Sequence, residues 1–238
     1  AERDFATNPA MVQNDLDYYM SKGTAPVVGK GDKYGYDYYA NVMDERIWGQ
    51  FALDLGGFKA NLALEGGLNE FYREGLVRKG LFAGLDDNGN EIVYEGKVLT
   101  TYDSNGKPIT SKGRSELQSF WTYSAKLGLQ YHFAGGHRVY ANAGYFNDAP
   151  TFSQSFISPR TRNSVVPNLE TIKTVSTDLN YQYSNNGYNV RVTGFYTKIM
   201  DQSDMMSFYD DSQNSFTNFA MNGIDQRHMG IELGFKIP

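Results

Sequence analysis

Cysteine is absent from the 238 residues, which excludes disulfides, a Cys-ligated zinc site and a thiol nucleophile. Histidine is scarce, with only His132, His137 and His228. His137 closes the turn "AGGH", the other two fall on polar strand faces, and none has metal-ligand spacing, so neither a metal nor another cofactor is expected. No basic run occurs, and 22 Lys and Arg against 27 Asp and Glu leave a net charge of −5, which argues against a nucleic-acid partner. No apolar run approaches the roughly 18 residues of a spanning helix, and mean hydropathy is −0.52. That last absence says nothing of strands, because alternation halves the average hydropathy of a segment that spans with one face only.

What the chain does hold is 18 Tyr, 15 Phe and 25 Gly beside only 7 Pro, a composition suited to sheet, with Tyr favoured where apolar surroundings meet water. The stretch 117–133, "LQSFWTYSAKLGLQYHF", carries almost only apolar residues at odd positions and polar ones at even positions. Side chains alternate across a strand, so this is one long strand with one apolar and one polar face. The pattern recurs in "FKANLALEGGLN" from Phe58, "TVSTDLNYQY" from Thr174, "YNVRVTGFYT" from Tyr188 and "HMGIELGFK" from His228, and more loosely from Arg46 and from His137. About seven strands and no segment of helical period make the expected fold all-β.

The connections sort by length. Gly56-Gly57, "AGGH" at 134–137 and "NNG" at 185–187 are tight turns that supply positive-φ residues. Between them lie long polar segments at roughly 1–45, 73–114, 148–170 and 201–225. Strict alternation puts the tight turns at one end of a meander and the long loops at the other, as in outer-membrane barrels and unlike a Greek-key sandwich. Sixteen residues tilted near 45° rise about 37 Å, more than the apolar band of roughly 25 Å. The apolar face is therefore expected to meet outer-membrane lipid, and the polar face a wet or plugged lumen. The competing reading is a large soluble β-domain whose apolar faces pack on each other.

Three stretches, "VYANAGYFNDAPTFSQSF", "VVPNLETIKTVSTDLNYQY" and "YNVRVTGFYTKIMDQ", resemble successive barrel strands from the C-terminal portion of TonB-dependent outer-membrane receptors. The likeness rests on an aromatic-rich strand end before Pro150, the strand start Pro167-Asn168-Leu169-Glu170, and the strand end from Phe195 to Asp201. Gly230-Ile231-Glu232 in "NGIDQRHMGIELGF" adds a Gly-x-Glu pattern. The resemblance implies an antiparallel up-and-down transmembrane β-barrel, here partial, in the outer membrane of a Gram-negative bacterium. It implies energised nutrient uptake with a plug, the rest of the parent barrel and the TonB complex as partners, and room for a surface lipoprotein. The expected layout is one barrel segment over 1–238, with 1–45 an extracellular loop region and 46–238 strands and loops. No plug is recognisable, so the chain is expected to be a piece of a larger barrel. The alternative function is a non-transporting barrel that binds or scaffolds at the surface.

Candidate residues follow from parity. Lys126, Gln130, Asp178, Asn180, Gln182, Arg191 and Glu232 take the lumen side, where substrate or plug contacts would lie, and each also reads as a solvated wall residue. Tyr34, Tyr36, Tyr38 and Tyr39 crowd "DKYGYDYYANV", either as extracellular stacking residues for a ligand or as an aromatic girdle. "DDNGNE" at 86–91 offers oxygen ligands for calcium but lacks the full loop pattern, and Asn88-Gly89 reads more simply as a hairpin, as does "SNGK" at 104–107. No phosphate loop and no Ser/His/Asp set occurs, so no enzyme activity is expected.

Overall fold

The computed structural model describes residues 2–3, 14–24, 26–80, 82–211 and 215–237. Seven long strands form the sheet: β1 (Tyr38–Leu55), β2 (Phe58–Gly75), β3 (Gln118–Phe133), β4 (His137–Asp148), β5 (Ile172–Asn185), β6 (Tyr188–Asp210) and β7 (Ser215–Lys236). Each pairs antiparallel with its sequence neighbours, in an up-and-down order. Among the described residues β1 bonds along its length only to β2, and β7 only to β6, so the sheet is open.

The turns at one end are minimal because the sequence supplies left-handed residues there. Gly56 has φ +71° between β1 and β2, and Asn186 and Gly187 have φ +47° and +85° between β5 and β6. Paired positive φ values match the twist of the flanking strands. At the other end 76–117 and 149–171 are long connections.

Register carries the alternation across the sheet. Leu53, Ala60, Leu129, Ala141, Leu179, Gly194 and Ile231 sit side by side on one level, one from each strand. Among the described residues nothing covers this outer face, and Leu179 and Ile231 are 60% and 78% exposed. Aromatic residues flank the apolar band at both heights. Trp121, Tyr123 and Tyr145 lie toward the long loops, and Tyr131, Phe133, Tyr181 and Tyr188 toward the tight turns. A half-apolar, half-polar sheet edged by aromatic belts is the architecture of a lipid-facing barrel wall.

Three expectations are corrected. Residues 201–225 are not a long loop: β6 runs to Asp210 and β7 starts at Ser215. Register slips between Ile199 and Gln202 and again between Gln202 and Asp204, which breaks the period-two pattern and hides the strand in the sequence. The strand β1 begins at Tyr38, eight residues before the expected 46. Helices do occur, though short: α1 (Leu16–Lys22) and α2 (Phe152–Ser155). Of the regions expected as loops, residues 1, 4–13, 25, 81 and 212–214 lie outside the described residues.

A cluster of buried apolar residues lies in a cap built by the long connections. Leu16 of α1 packs with Ala83, Ile92 and Leu99. The helix is capped by Asp15, whose carboxylate accepts from Asp17 N, and ends at Gly23 (φ +67°). Both 86–91 and 104–107 are hairpins: Asp86 N donates to Asn90 O at 2.9 Å and Asp103 N to Lys107 O at 2.9 Å. In the first, the Asp86 carboxylate is spent on the backbone N–H groups of Asn88 and Asn90, an Asx turn.

Candidate functional site

The polar face lines the inner wall in levels perpendicular to the strands. Lys59, Gln130, Tyr140, Asn180, Thr193 and Glu232 share one level. The next level toward the cap holds Asn61, Gly128, Asn142, Asp178, Phe195 and Gly230, and the one beyond it Lys126. The level toward the tight turns holds Arg138, Gln182 and Arg191. All seven residues expected on the lumen side thus stand on one face, over four successive levels.

Their surroundings differ. Asp178 accepts from Asn142 Nδ2 at 3.0 and 3.2 Å and from Asn180 Nδ2. Thr193 Oγ1 donates to Asn180 Oδ1 at 2.6 Å, and Asn180 is only 4% exposed. Asn180 therefore belongs to the body of the wall, with Nδ2 donating to Asp178 and Oδ1 accepting from Thr193. Gln182 accepts from Arg138 and donates to Asn189 Oδ1 at 3.3 Å. Gln130 meets His132 Nε2 at 2.5 Å. Lys126 places Nζ 5.2 Å from the centre of the Phe146 ring, within cation–π range, and that ring covers Gly144. Arg191 and Glu232 make no hydrogen bond among the described residues. They are the two shortlisted charges on this wall that stay available.

A small recess of about 360 Å³ lies in the wall toward the tight turns, lined by Gln50, Asp54, Lys59, Asn61, Gln130 and Tyr140. Its lining mixes amides and charges with Ala52, Leu53, Ala60 and Leu129, and holds an Asp54–Lys59 ion pair at 2.6 Å. No group of three or more His, Cys, Asp or Glu able to hold a metal occurs among the described residues.

The mouth of the wall, under the cap, is aromatic. Phe71 is 1% exposed and meets Phe120, Phe152 and Phe156 with ring centres 5.8, 6.1 and 6.4 Å away. Parity makes Phe71 an apolar residue on the polar face, a signal in the sequence that something packs against it from inside. That partner is α2, which carries Phe152. Arg73, also on the inner face and 1% exposed, donates Nε to Pro159 O at 2.6 Å and Nη1 to Ser111 O at 2.7 Å and to Asn163 Oδ1. Asn163 in turn donates to Thr110 Oγ1 at 2.9 Å. One buried guanidinium thereby ties both long connections to β2. Arg73 had no signal in the sequence, because its partners are carbonyls of loops 38 to 90 residues away.

The four tyrosines split. Tyr38 turns inward, where it stacks on Phe152 at 6.3 Å and lies under Arg73. Tyr36 is 6.1 Å from Tyr38 and carries Arg160 over its ring at 5.2 Å. Tyr39 pairs in register with Glu74 on the outer face and is 57% exposed. Tyr34 is exposed and makes no ring contact among the described residues. Only Tyr36 and Tyr38 come together.

The helix α1 is clasped to the cap through Asp17, which binds Arg78 Nε at 2.8 Å and Lys112 Nζ at 2.6 Å. Burial pushes the Asp17 carboxyl up, but Lys112 and Arg78 together outweigh it and hold it below the ordinary carboxylate value. Burial also lowers the Arg162 guanidinium, which lies over the Phe82 ring at 4.9 Å.

A family model described as TonB dependent receptor-like, beta-barrel matches residues 4–237. No curated protein matches the chain. Among solved structures, a chain titled "Copper transporter OprC" is similar, with a TM-score of 0.45 and 14% identity, over 83% of this chain and 36% of that one. The present chain thus spans little more than a third of that structure's length.

Proposed function

The chain belongs to the TonB-dependent receptor β-barrel family, and on that premise we propose that it is part of an outer-membrane receptor that takes up a nutrient by energised transport. Barrels of this family are outer-membrane proteins. The observation that carries the reading is the two-sided wall. One apolar level runs unbroken through all seven strands with none of the described residues over it, while the opposite face bears charges and amides. In this reading residues 1–238 are a single barrel segment. A parent chain supplies the remaining strands, a plug and the segment that meets the TonB complex, and a surface lipoprotein is a further partner for the cap. Arg191 and Glu232 are the inner charges best placed to touch substrate or plug. The cap faces outward from the cell and the tight turns face the periplasm, as the short-turn rule for such barrels has it.

The test compares cells with and without the parent gene, each with TonB present or deleted, in minimal medium with all solutes followed by mass spectrometry. Transport requires at least one solute whose depletion needs both the parent gene and TonB. A parent that assembles in the outer membrane, yet neither depletes a solute in this way nor cross-links to TonB, would instead be a surface binding or scaffold barrel.

A further inference from the structure

The turn at 158–162, within the 149–171 connection, carries two arginines and is held from several sides. Ser158 O accepts from Thr161 N at 2.9 Å and from Arg162 N at 3.0 Å. Arg73 grips both flanks of the turn, through Pro159 O at 2.6 Å and through Asn163 Oδ1. Asn163 N donates in turn to Thr110 O at 2.7 Å. Arg160 and Arg162 are thereby fixed beside the buried Arg73, at the aromatic mouth of the wall.

Each of these guanidinium groups lies on a ring. Arg160 stands 5.2 Å from the centre of Tyr36, Arg73 5.0 Å from that of Tyr38 and Arg162 4.9 Å from that of Phe82. The rings connect back to Arg73. Tyr36 and Tyr38 are 6.1 Å apart, and Ser111, whose carbonyl accepts from Arg73, donates Oγ to Phe82 O at 2.7 Å. Three positive charges are thus gathered by one turn and the strand end beneath it, in a chain whose net charge is −5.

No described carboxylate meets any of the three. Arg73 spends its donors on neutral oxygens. The guanidinium groups of Arg160 and Arg162 make no hydrogen bond or ion pair among the described residues. Other cations of the cap are matched: Arg78 and Lys112 bind Asp17, Lys107 binds Glu116, and Arg114 lies 3.6 Å from Glu74. Arg162 is the sharpest case, because its Nε–H is buried without an acceptor. A buried cation without a counter-charge and a buried N–H without an acceptor both weaken the fold that holds them. The same arrangement is a site ordered before its anion arrives, which lowers the cost of binding.

We propose that Arg160 and Arg162 form an oxyanion site at the mouth, taking a carboxylate or phosphate group of the incoming solute, with Arg73 holding the turn in place. The planar fork of a guanidinium matches both groups in bidentate fashion, and a mouth of one sign raises the local concentration of anions. The proposal rests on the reading of the chain as a transporter wall and narrows its substrate class to anionic solutes.

The test uses the full parent protein in detergent and phenylglyoxal, which modifies guanidinium groups, with the modified peptides counted by mass spectrometry. In chloride both Arg160 and Arg162 should react. Inorganic phosphate or citrate, at the same ionic strength, should slow both reactions by roughly fivefold or more, and the stronger of the two probes tells phosphate from carboxylate preference. Arg160 is exposed, so Arg160→Gln leaves the bonds of the turn in place. In that variant the anion concentration that half-protects Arg162 should rise roughly tenfold, as for the loss of one charge-assisted partner. Protection of neither arginine by either anion overturns the proposal, as does an unchanged half-protection in Arg160→Gln. So does a lack of reaction in chloride, which would mean that a carboxylate of the parent chain already fills the site. The outcome is separable from that of the transport test: a surface barrel that depletes nothing still shows the protection, and a transporter of a neutral solute shows TonB-dependent depletion without it.

Discussion

The guanidinium of Arg73 lies over the ring of Tyr38, 5.0 Å from its centre, and the pair stands where β1, β2 and both long connections meet. Gly75, two residues on, passes so close to Ser111 that an added Cβ would fall 1.8 Å from its carbonyl oxygen. The backbone approach and the guanidinium together seat the cap on the inner side of the strands. Arg73 has no carboxylate partner among its contacts, and three neutral acceptors take its place.

Removing that guanidinium leaves buried carbonyls without donors. Arg73→Met in the parent protein should destabilise the cap by about 2–4 kcal/mol. Arg73→Lys should recover only part of this, because an ammonium cannot present the planar fork. Limited proteolysis within 149–171 reads the loss: faster cutting is expected in both variants, fastest in Arg73→Met, with strand β2 itself spared. Equal cutting in all three proteins would show that the loops hold without this contact.

The two faces of β3 give a second test. Leu129→Arg points a charge at hydrocarbon and should cost about 2–4 kcal/mol near midplane. Gln130→Arg, one residue on and facing inward beside Tyr140, should cost much less. Spin labels on Leu127, Leu129 and Leu179 should report lipid, and labels on Lys126, Gln130 and Glu232 should report water. Equal costs, or water at both sets in membranes, would mean that the two faces share one environment.

Acid should loosen α1. The Asp17 carboxyl titrates below its ordinary value because Lys112 and Arg78 favour its charged form over the opposing effect of burial. A group with a depressed folded pKa contributes stability that is fully present above its unfolded value, about 3.9. That stability is lost as pH falls through the folded value. The protection of amides over residues 16–22, relative to the intrinsic exchange rate at each pH, should therefore be high at neutral pH and fall below about pH 4. In Asp17→Asn it should be low at both and lose this dependence. A helix equally protected across that range in the unsubstituted protein would remove the clasp from the account.

The strands of the sheet were legible because a half-buried wall demands period two, and the register keeps Leu53 through Ile231 on one level in all seven strands. The tight turns were legible because Gly56, Asn186 and Gly187 are the residue types their dihedrals require. The upper parts of β6 and β7 were not, since two register slips at 199–204 shift the phase of the alternation. Nor was the cap: Leu16, Ala83, Ile92 and Leu99 are too few and too widely spaced to form a pattern along the chain. Parity puts Asn180 on the polar face, yet it could not tell that Thr193 and Asp178 would bond to its amide and that it would be buried. Face is a property of period, whereas availability is a property of neighbours on other strands.

Protease added to intact cells bearing the parent should cut first at Asp87–Gly89 and Ser104–Gly106. These hairpin tips are exposed, small and polar. The turns at 134–136 and 186–187 should survive, both because they face the periplasm in the proposed orientation and because they offer a protease little backbone. Cleavage at those turns from outside would invert the proposed topology.

The last expectation is that these 238 residues do not make a stable membrane protein alone. Among the described residues the outer edges of β1 and β7 meet no partner strand, and each runs for 18 and 22 residues. Roughly half the backbone N–H and C=O groups on an edge strand point outward from the sheet. Water satisfies them in a soluble protein, but hydrocarbon offers none, and each unpaired group costs several kcal/mol there. Even the few groups per edge that fall within the apolar band would outweigh a marginal folding free energy of about 5–15 kcal/mol. Lipid contact on the outer face does not offset this, because a closed barrel gains the same contact without the loss. Expressed alone and refolded into detergent, the chain should aggregate and lack the heat-modifiable gel shift of a closed barrel. Co-expression with the rest of the parent should restore that shift by supplying strands for both edges. A monomeric, heat-modifiable species of 26.8 kDa from this chain alone would mean that β1 and β7 close on each other, and the wall described here would then be a small complete barrel.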